Sequence, residues 1–384
     1  MTENTNSTTE EKPVRRPIDT AIRQQRMNAW QPILDPTYVI GALIVFGAIF
    51  VATGVTIQNQ NSHLVELRQV YDEYNNGDSL CYISKANEGR VCNIEFKVPT
   101  KLEPPIMVHY EICNFYQNHR KYVKSRDDLQ LRGAGNSSQG QGNCDPLRKL
   151  GNVTLNPCGL IANTFFNDII QLSSFTDSAG RVVVMNESGI AWQSDVEHKF
   201  KQPLGFVSEQ CTSCDDADCN CDSGAWSCTT PFQDNTTSPP TCTKYFYPDQ
   251  YPDQGNTQYL FQTYPKIINP IEGVTNQHFI VWMRTAALPN FRKLYGWINT
   301  PIEANTTLRF LIEANWEVQS FKGTKALIVS TNGPFGGKNP FLGRIFWIVG
   351  IIFLVVAVLF GIKHTFRPRK LGDPRYLRAH VKQE

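Results

Sequence analysis

TYVIGALIVFGAIFVATGVTI, residues 37–57, carries no charge across 21 positions. A helix of that length spans about 31 Å, close to the hydrocarbon thickness of a bilayer. A second run, IFWIVGIIFLVVAVLFGI at residues 345–362, extends past Arg344 through Leu342 and Gly343. Long core helices of soluble domains keep a polar face, and neither run has one. A cleaved signal peptide fits the first run poorly, because it begins only at residue 37 and no small-residue cleavage site follows cleanly. The chain reads as a membrane protein with two transmembrane α-helices, at residues 37–57 and 343–362.

The flanks orient the spans. Lys12, Arg15, Arg16, Arg23 and Arg26 precede the first with only Asp19 among them. Lys363, Arg367, Arg369, Lys370, Arg375, Arg378 and Lys382 follow the second, against Asp373 and Glu384. The positive-inside rule makes both tails, residues 1–36 and 363–384, cytosolic. Residues 58–342 then form one large lumenal or extracellular domain. Over all 384 residues, 37 Lys and Arg face 35 Asp and Glu, a net charge of +2. So even a balance excludes nucleic-acid binding by bulk electrostatics.

All 11 cysteines lie between Cys81 and Cys242, as expected where disulfides persist. Glycosylation sequons stand at Asn136, Asn152, Asn186, Asn235 and Asn305 of the outer domain. Another, Asn6, lies in the cytosolic tail and should stay bare. Cys81 and Cys92 flank one turn-rich segment, and Cys144 and Cys158 flank another; both pairs read as disulfides, leaving Cys113 as a free thiol within an apolar strand. Cys211, Cys214, Cys219, Cys221, Cys228 and Cys242 sit in a Cys- and Pro-rich insert at residues 208–252. Three local disulfides fit an oxidising compartment better than zinc, and Asp215, Asp216 and Asp218 do not make the case for calcium. Six cysteines admit many pairings, which the sequence does not choose among.

Within the outer domain, IMVHYEICNFY (106–116), GRVVVM (180–185), FIVWM (279–283), TLRFLIEANWEV (307–318) and TKALIVST (324–331) read as strands separated by Gly, Pro and Asn turns. A short helix is expected over residues 163–172. The pattern predicts a mainly antiparallel β sandwich. No phosphate-binding loop, G-x-S-x-G elbow or H-E-x-x-H pair occurs. Asp127 and Asp128 read as loop ion-pair partners. SDVEHKF (194–200) reads as a turn or strand end rather than a catalytic triad, since triads assemble across a fold. No cofactor and no metal is implied.

The stretch from Tyr110, YEICNFYQNHRKYVKSRDDLQLRG, resembles the signature of the non-catalytic β-subunits of type-IV P-type ATPases, the lipid flippases (the cell-division-control-protein-50 or ligand-effect-modulator family). IRQQRMNAWQP (22–32), NPCGLIANTFFND (156–168), IAWQSDVEHKF (190–200) and the stretch from Phe291 to Thr331 match the same family in order. Departures are Asn28, where the family usually has proline, Cys113, and the cysteine-rich insert. The resemblance implies a jelly-roll-like outer domain capping a ten-span catalytic ATPase in a one-to-one heterodimer. It implies no enzyme activity in this chain. The subunit would let its ATPase leave the endoplasmic reticulum, stay stable and move phospholipid to the cytosolic leaflet, in endoplasmic reticulum, Golgi or endosomal membranes or the plasma membrane. Arg23, Gln24, Gln25, Arg26, Trp30, Gln31 and Pro32 would touch the partner and the membrane interface, where an indole suits the headgroup level.

A two-span, Cys-rich ligand-gated channel or receptor shares this topology and is the alternative. Its pore would need Gly41, Gly47, Thr53 and Gly54, small residues that more simply let a partner helix approach closely.

Overall fold

The computed structural model describes residues 19–27, 35–134, 141–177, 180–211, 232–234, 241–247, 257–334 and 336–368. Asn6, Asn28, Trp30, Gln31, Pro32, Asn136, Cys214, Cys219, Cys221, Cys228 and Asn235 lie outside them. The chain divides into two units, residues 1–56 with 341–384, and residues 57–340.

The first unit is built on the helices α1 (Pro36–Ser62) and, near the other end of the chain, Pro340–Phe366. Each is 27 residues long and begins with proline, whose missing N–H costs nothing in a first turn. The apolar runs continue in helical form past the expected ends. The two helices run antiparallel and meet on glycine. A Cβ on Gly54 would stand 2.5 Å from the Trp347 nitrogen, and one on Gly350 would stand 2.7 Å from the Val51 nitrogen. Phe50 stacks on Phe353 with centroids 5.7 Å apart and meets the edge of Phe346. Gly47 and Gly54 therefore serve the chain's own second span, not a partner's, because their missing side chains are what admits it. Gly41 has nothing within 4 Å.

In the second unit the strands are β1 (Glu66–Glu73), β2 (Arg90–Lys97) and β3 (Ile106–Cys113), then the short helices α2 (Arg120–Lys124) and α3 (Asp128–Leu131). Next come β4 (Lys149–Leu150), β5 (Val153–Asn156), β6 (Ile169–Leu172), β7 (Phe175–Thr176), β8 (Val182–Val183) and α4 (Gln193–His198). The chain continues through β9 (Val207–Gln210), β10 (Phe232–Asp234), β11 (Thr241–Phe246), β12 (Thr257–Tyr259), α5 (Leu260–Thr263) and α6 (Gln277–Met283). It ends in β13 (Phe291–Ile298), β14 (Thr307–Ala314) and β15 (Thr324–Thr331), followed by α7, the Pro340–Phe366 helix.

One antiparallel sheet runs β1-β15-β3-β13 and another β2-β14-β6. Their side chains alternate as period-2 strands require: β3 is buried at Ile106, Val108, Tyr110 and Ile112, and β14 at Leu308, Phe310 and Ile312. These residues share one apolar core. The two-span protein thus carries a large antiparallel β domain. Strands β12 and β5 pair in parallel. The insert's described part forms a separate sheet, β10-β11-β9. Tyr247 fastens it by donating to the Pro270 carbonyl at 2.8 Å.

Three local expectations fail for identifiable reasons. FIVWM is helical: Asn276 accepts the Phe279 N–H as an N-cap, and Lys293 Nζ closes the other end on the carbonyls of Val281 and Trp282 at 2.8 and 3.0 Å. Burial of Phe279, Ile280, Trp282 and Met283 overrides their β-propensity. SDVEHKF falls on α4, not on a turn or strand end, with Asp195 facing inward. Residues 163–172 hold only the end of a 3₁₀ turn, Ala162–Thr164, before the chain extends into β6 on the edge of β14.

Candidate partner-binding surfaces and their supporting network

Two of the segments quoted above, YEICNFYQNHRKYVKSRDDLQLRG and NPCGLIANTFFND, meet around Ser125. Its hydroxyl donates to the Cys144 carbonyl at 3.2 Å and accepts the Leu160 N–H at 2.9 Å. Gln130 accepts the Cys158 N–H at 2.8 Å, and Trp282 donates its indole N–H to the Ile161 carbonyl at 2.8 Å. Gly159 passes so close that a Cβ would lie 2.2 Å from the Ser125 backbone carbonyl oxygen, and its φ of +104° suits only glycine. Asp127 caps α3 through the Leu129 and Gln130 N–H groups, while Asp128 pairs with Arg126 at 3.0 Å. Local backbone and charge pairing, not catalysis, account for that acidic pair.

Cys144 and Cys158 are joined, as are Cys81 and Cys92, and Cys113 is free at the end of β3. Cys211 and Cys242 are each disulfide-bonded, and their backbones share a hydrogen bond of 2.8 Å. Asp127 lies beside Cys144 and Cys158 in what could pass for a metal cluster. The disulfide takes both sulfurs, so neither offers the thiolate a metal needs.

Deeper in, a β-bulge between Val70 and Asp72 turns two successive residues of β1 inward. They meet Asp168 from NPCGLIANTFFND and Lys325 from β15, all fully buried. Asp168 Oδ1 accepts the N–H groups of Asn315 and Trp316, both at 2.7 Å. Its Oδ2 accepts Tyr71 OH at 2.9 Å and Lys325 Nζ at 2.7 Å. Lys325 also donates to the Trp316 carbonyl and stands 3.3 Å from Asp72, whose oxygens accept no hydrogen bond. Two carboxylates share one ammonium. Burial pushes the Asp72 carboxyl up to about 6, against the pull of Lys325 and with the Asp168 charge adding to the rise. Nothing in the sequence pattern links these residues, because the Asp168–Lys325 contact bridges 157 positions. The cluster is sealed from solvent. What the fold offers a second molecule is therefore its surface.

Of the expected tail contacts, Arg23, Gln24, Gln25 and Arg26 are described and exposed. They form a turn in which the Gln24 N–H reaches the Thr20 carbonyl at 2.9 Å and Arg26 pairs with Asp19. The sequons at Asn152, Asn186 and Asn305 are exposed. Asn186 is pinned at the surface by reciprocal backbone bonds to Trp297 of 2.8 and 2.9 Å.

Two antiparallel spans bracketing a disulfide-bonded antiparallel β domain define a class of membrane protein. The chain belongs to the LEM3 (ligand-effect modulator 3) / CDC50 family, whose model matches residues 39–370. It is 34% identical to "ALA-interacting subunit 3" of Arabidopsis thaliana, over 94% of this chain and 90% of that protein. It is 35% identical to "Cell cycle control protein 50A" of Mus musculus, over 92% and 90%. "Phospholipid-transporting ATPase accessory subunit CRF1" of Saccharomyces cerevisiae is 32% identical, over 94% and 88%.

Proposed function

We propose that this chain is the non-catalytic accessory subunit of a type-IV P-type ATPase that moves phospholipid to the cytosolic leaflet. It pairs one-to-one with that ATPase, stabilises it, and accompanies it out of the endoplasmic reticulum to Golgi, endosomal or plasma membranes. Both tails are cytosolic, and the β domain is lumenal or extracellular and glycosylated. The observation that carries this reading is similarity along nearly the whole chain to relatives named as interacting or accessory subunits. The architecture supports it. The outer domain's ionisable cluster is enclosed, with Asp168 and Lys325 held by structural contacts, which suits a scaffold rather than a reaction centre. Purification of the tagged chain in mild detergent tests it: a ten-span ATPase should accompany it in equal amount. Recovery of a homo-oligomer without an ATPase would refute the reading and favour a channel.

A further inference from the structure

A cavity of about 400 Å³ opens where α3, α4 and the segment after α6 meet. Leu131, Phe200 and Met283, all buried, give it an apolar lining. Arg126, Arg132, Lys199 and Arg284 stand around it, against the carboxylates of Asp128 and Asp195. Those carboxylates are already engaged. Asp195, its side chain 2% exposed, holds Lys199 at 2.7 Å and also Arg284; Asp128 holds Arg126 at 3.0 Å. Arg132 has no carboxylate partner among the described residues and remains an uncompensated guanidinium at the rim. On the other side Arg284 lies 5.0 Å from the ring centroid of Trp192, whose surface is 66% exposed. Buried Asp195 thus fixes two cations in place, and ion pairing to it spares them the entropy of being ordered later.

Such a cavity selects an anion small enough to enter and able to accept a planar fork of N–H donors, which is a carboxylate's geometry. An exposed tryptophan stacked on an arginine beside a pocket with an apolar floor is the kind of anchor that dominates protein–protein interfaces. We propose that this cavity receives an aspartate- or glutamate-bearing loop on the outer face of the partner ATPase, with Arg132 as the principal contact and Trp192 packing on the loop's backbone. This rests on the accessory-subunit reading above. Four cations around the cavity exceed its two carboxylates by two, so an entering carboxylate meets a site that is still positive.

The test uses the full chain, co-expressed with its tagged ATPase and recovered in mild detergent at low and high salt. The wild-type chain should come down with the ATPase, less so as salt screens the contact. Arg132→Glu should lower that recovery by about tenfold at low salt, and Arg132→Lys, which keeps the charge but not the fork, should lower it by less. A non-reducing peptide map that still joins Cys144 to Cys158 shows that the variant has folded. If Arg132→Glu misfolds, Arg132→Gln answers the same question without reversing charge. Wild-type recovery with a folded Arg132→Glu or Arg132→Gln chain overturns the proposal. So does unchanged recovery together with a melting shift by short-chain phosphatidylserine that Arg132→Gln abolishes, which would assign the cavity to a lipid headgroup. Absence of ATPase from the wild-type preparation would refute the accessory-subunit reading itself, and this proposal with it.

Discussion

Asp72 and His109 titrate in opposite senses over the same range. The folded Asp72 carboxyl, at about 6, lies above its ordinary value of 3.8, so between these the folded state holds the extra proton and stability falls as pH rises. Burial, aided by the Arg292 charge, lowers His109 from 6.5 to about 4. Between those values the unfolded state holds the extra proton, and stability falls as pH drops. The slopes oppose each other from about pH 4 to about pH 6. Wild-type melting temperature should vary little there. Asp72→Asn should expose the His109 loss, so that acid destabilises; His109→Phe should expose the reverse. Melting curves of the purified chain across that range check both, and identical profiles for all three proteins would contradict the assignment. Lys325→Met is a harsher change. It leaves two buried carboxylates without their ammonium and should cost about 3–5 kcal/mol, read as a loss of folded protein at neutral pH. Breaking the Cys144–Cys158 bridge by serine at both positions frees a loop of 14 residues and should cost about 3 kcal/mol in the chain-entropy account. The yield of monodisperse chain measures it.

Among the elements, the two spans were legible from composition alone, because the bilayer demands long uncharged runs. Their mutual packing was not. The glycines announce close approach but not to what, and only the structure shows Gly47 and Gly54 against α7. Gly54→Leu should separate the pair, lowering the melting temperature in detergent, whereas Gly41→Leu should leave it unchanged. Equal effects of the two substitutions would refute the seam. Strands β3, β14 and β15 were readable from their alternation or apolar runs, while α6 was not. Its Asn276 cap was available as a signal, but four β-forming residues in FIVWM outweighed a single capping residue. Helix α4 lacked even that, since Trp192 at its N-cap supplies no side-chain acceptor.

For the molecule as a whole, the orientation of the outer domain rests on tail charges and sequons, and both can be probed at once. Endoglycosidase should increase gel mobility through glycans on some of Asn136, Asn152, Asn186, Asn235 and Asn305. A glycan mapped to Asn6 would invert the topology. Family membership and the general architecture could be read from ordered segments such as NPCGLIANTFFND. The Asp72–Asp168–Lys325 cluster could not, because its members are ordinary residues brought together only by the sheet order. The cavity at Arg132 was hidden for the same reason: Arg126, Asp195 and Arg284 come from three separate stretches.

That sheet order also sets a timetable. Strand β15 lies between β1, which follows α1 directly in sequence, and β3. It is among the last parts of the domain to leave the ribosome. Until it emerges, β1 and β3 each keep an unpaired edge facing where β15 will be, and Asp168 has no lysine. The early strands must therefore wait, exposed, through synthesis of more than two hundred residues that include the whole cysteine-rich insert. A nascent chain of this kind has to keep those edges from pairing elsewhere for the length of its own translation. A message truncated anywhere before Thr324 yields not a slightly shorter subunit but one whose sheet has no middle.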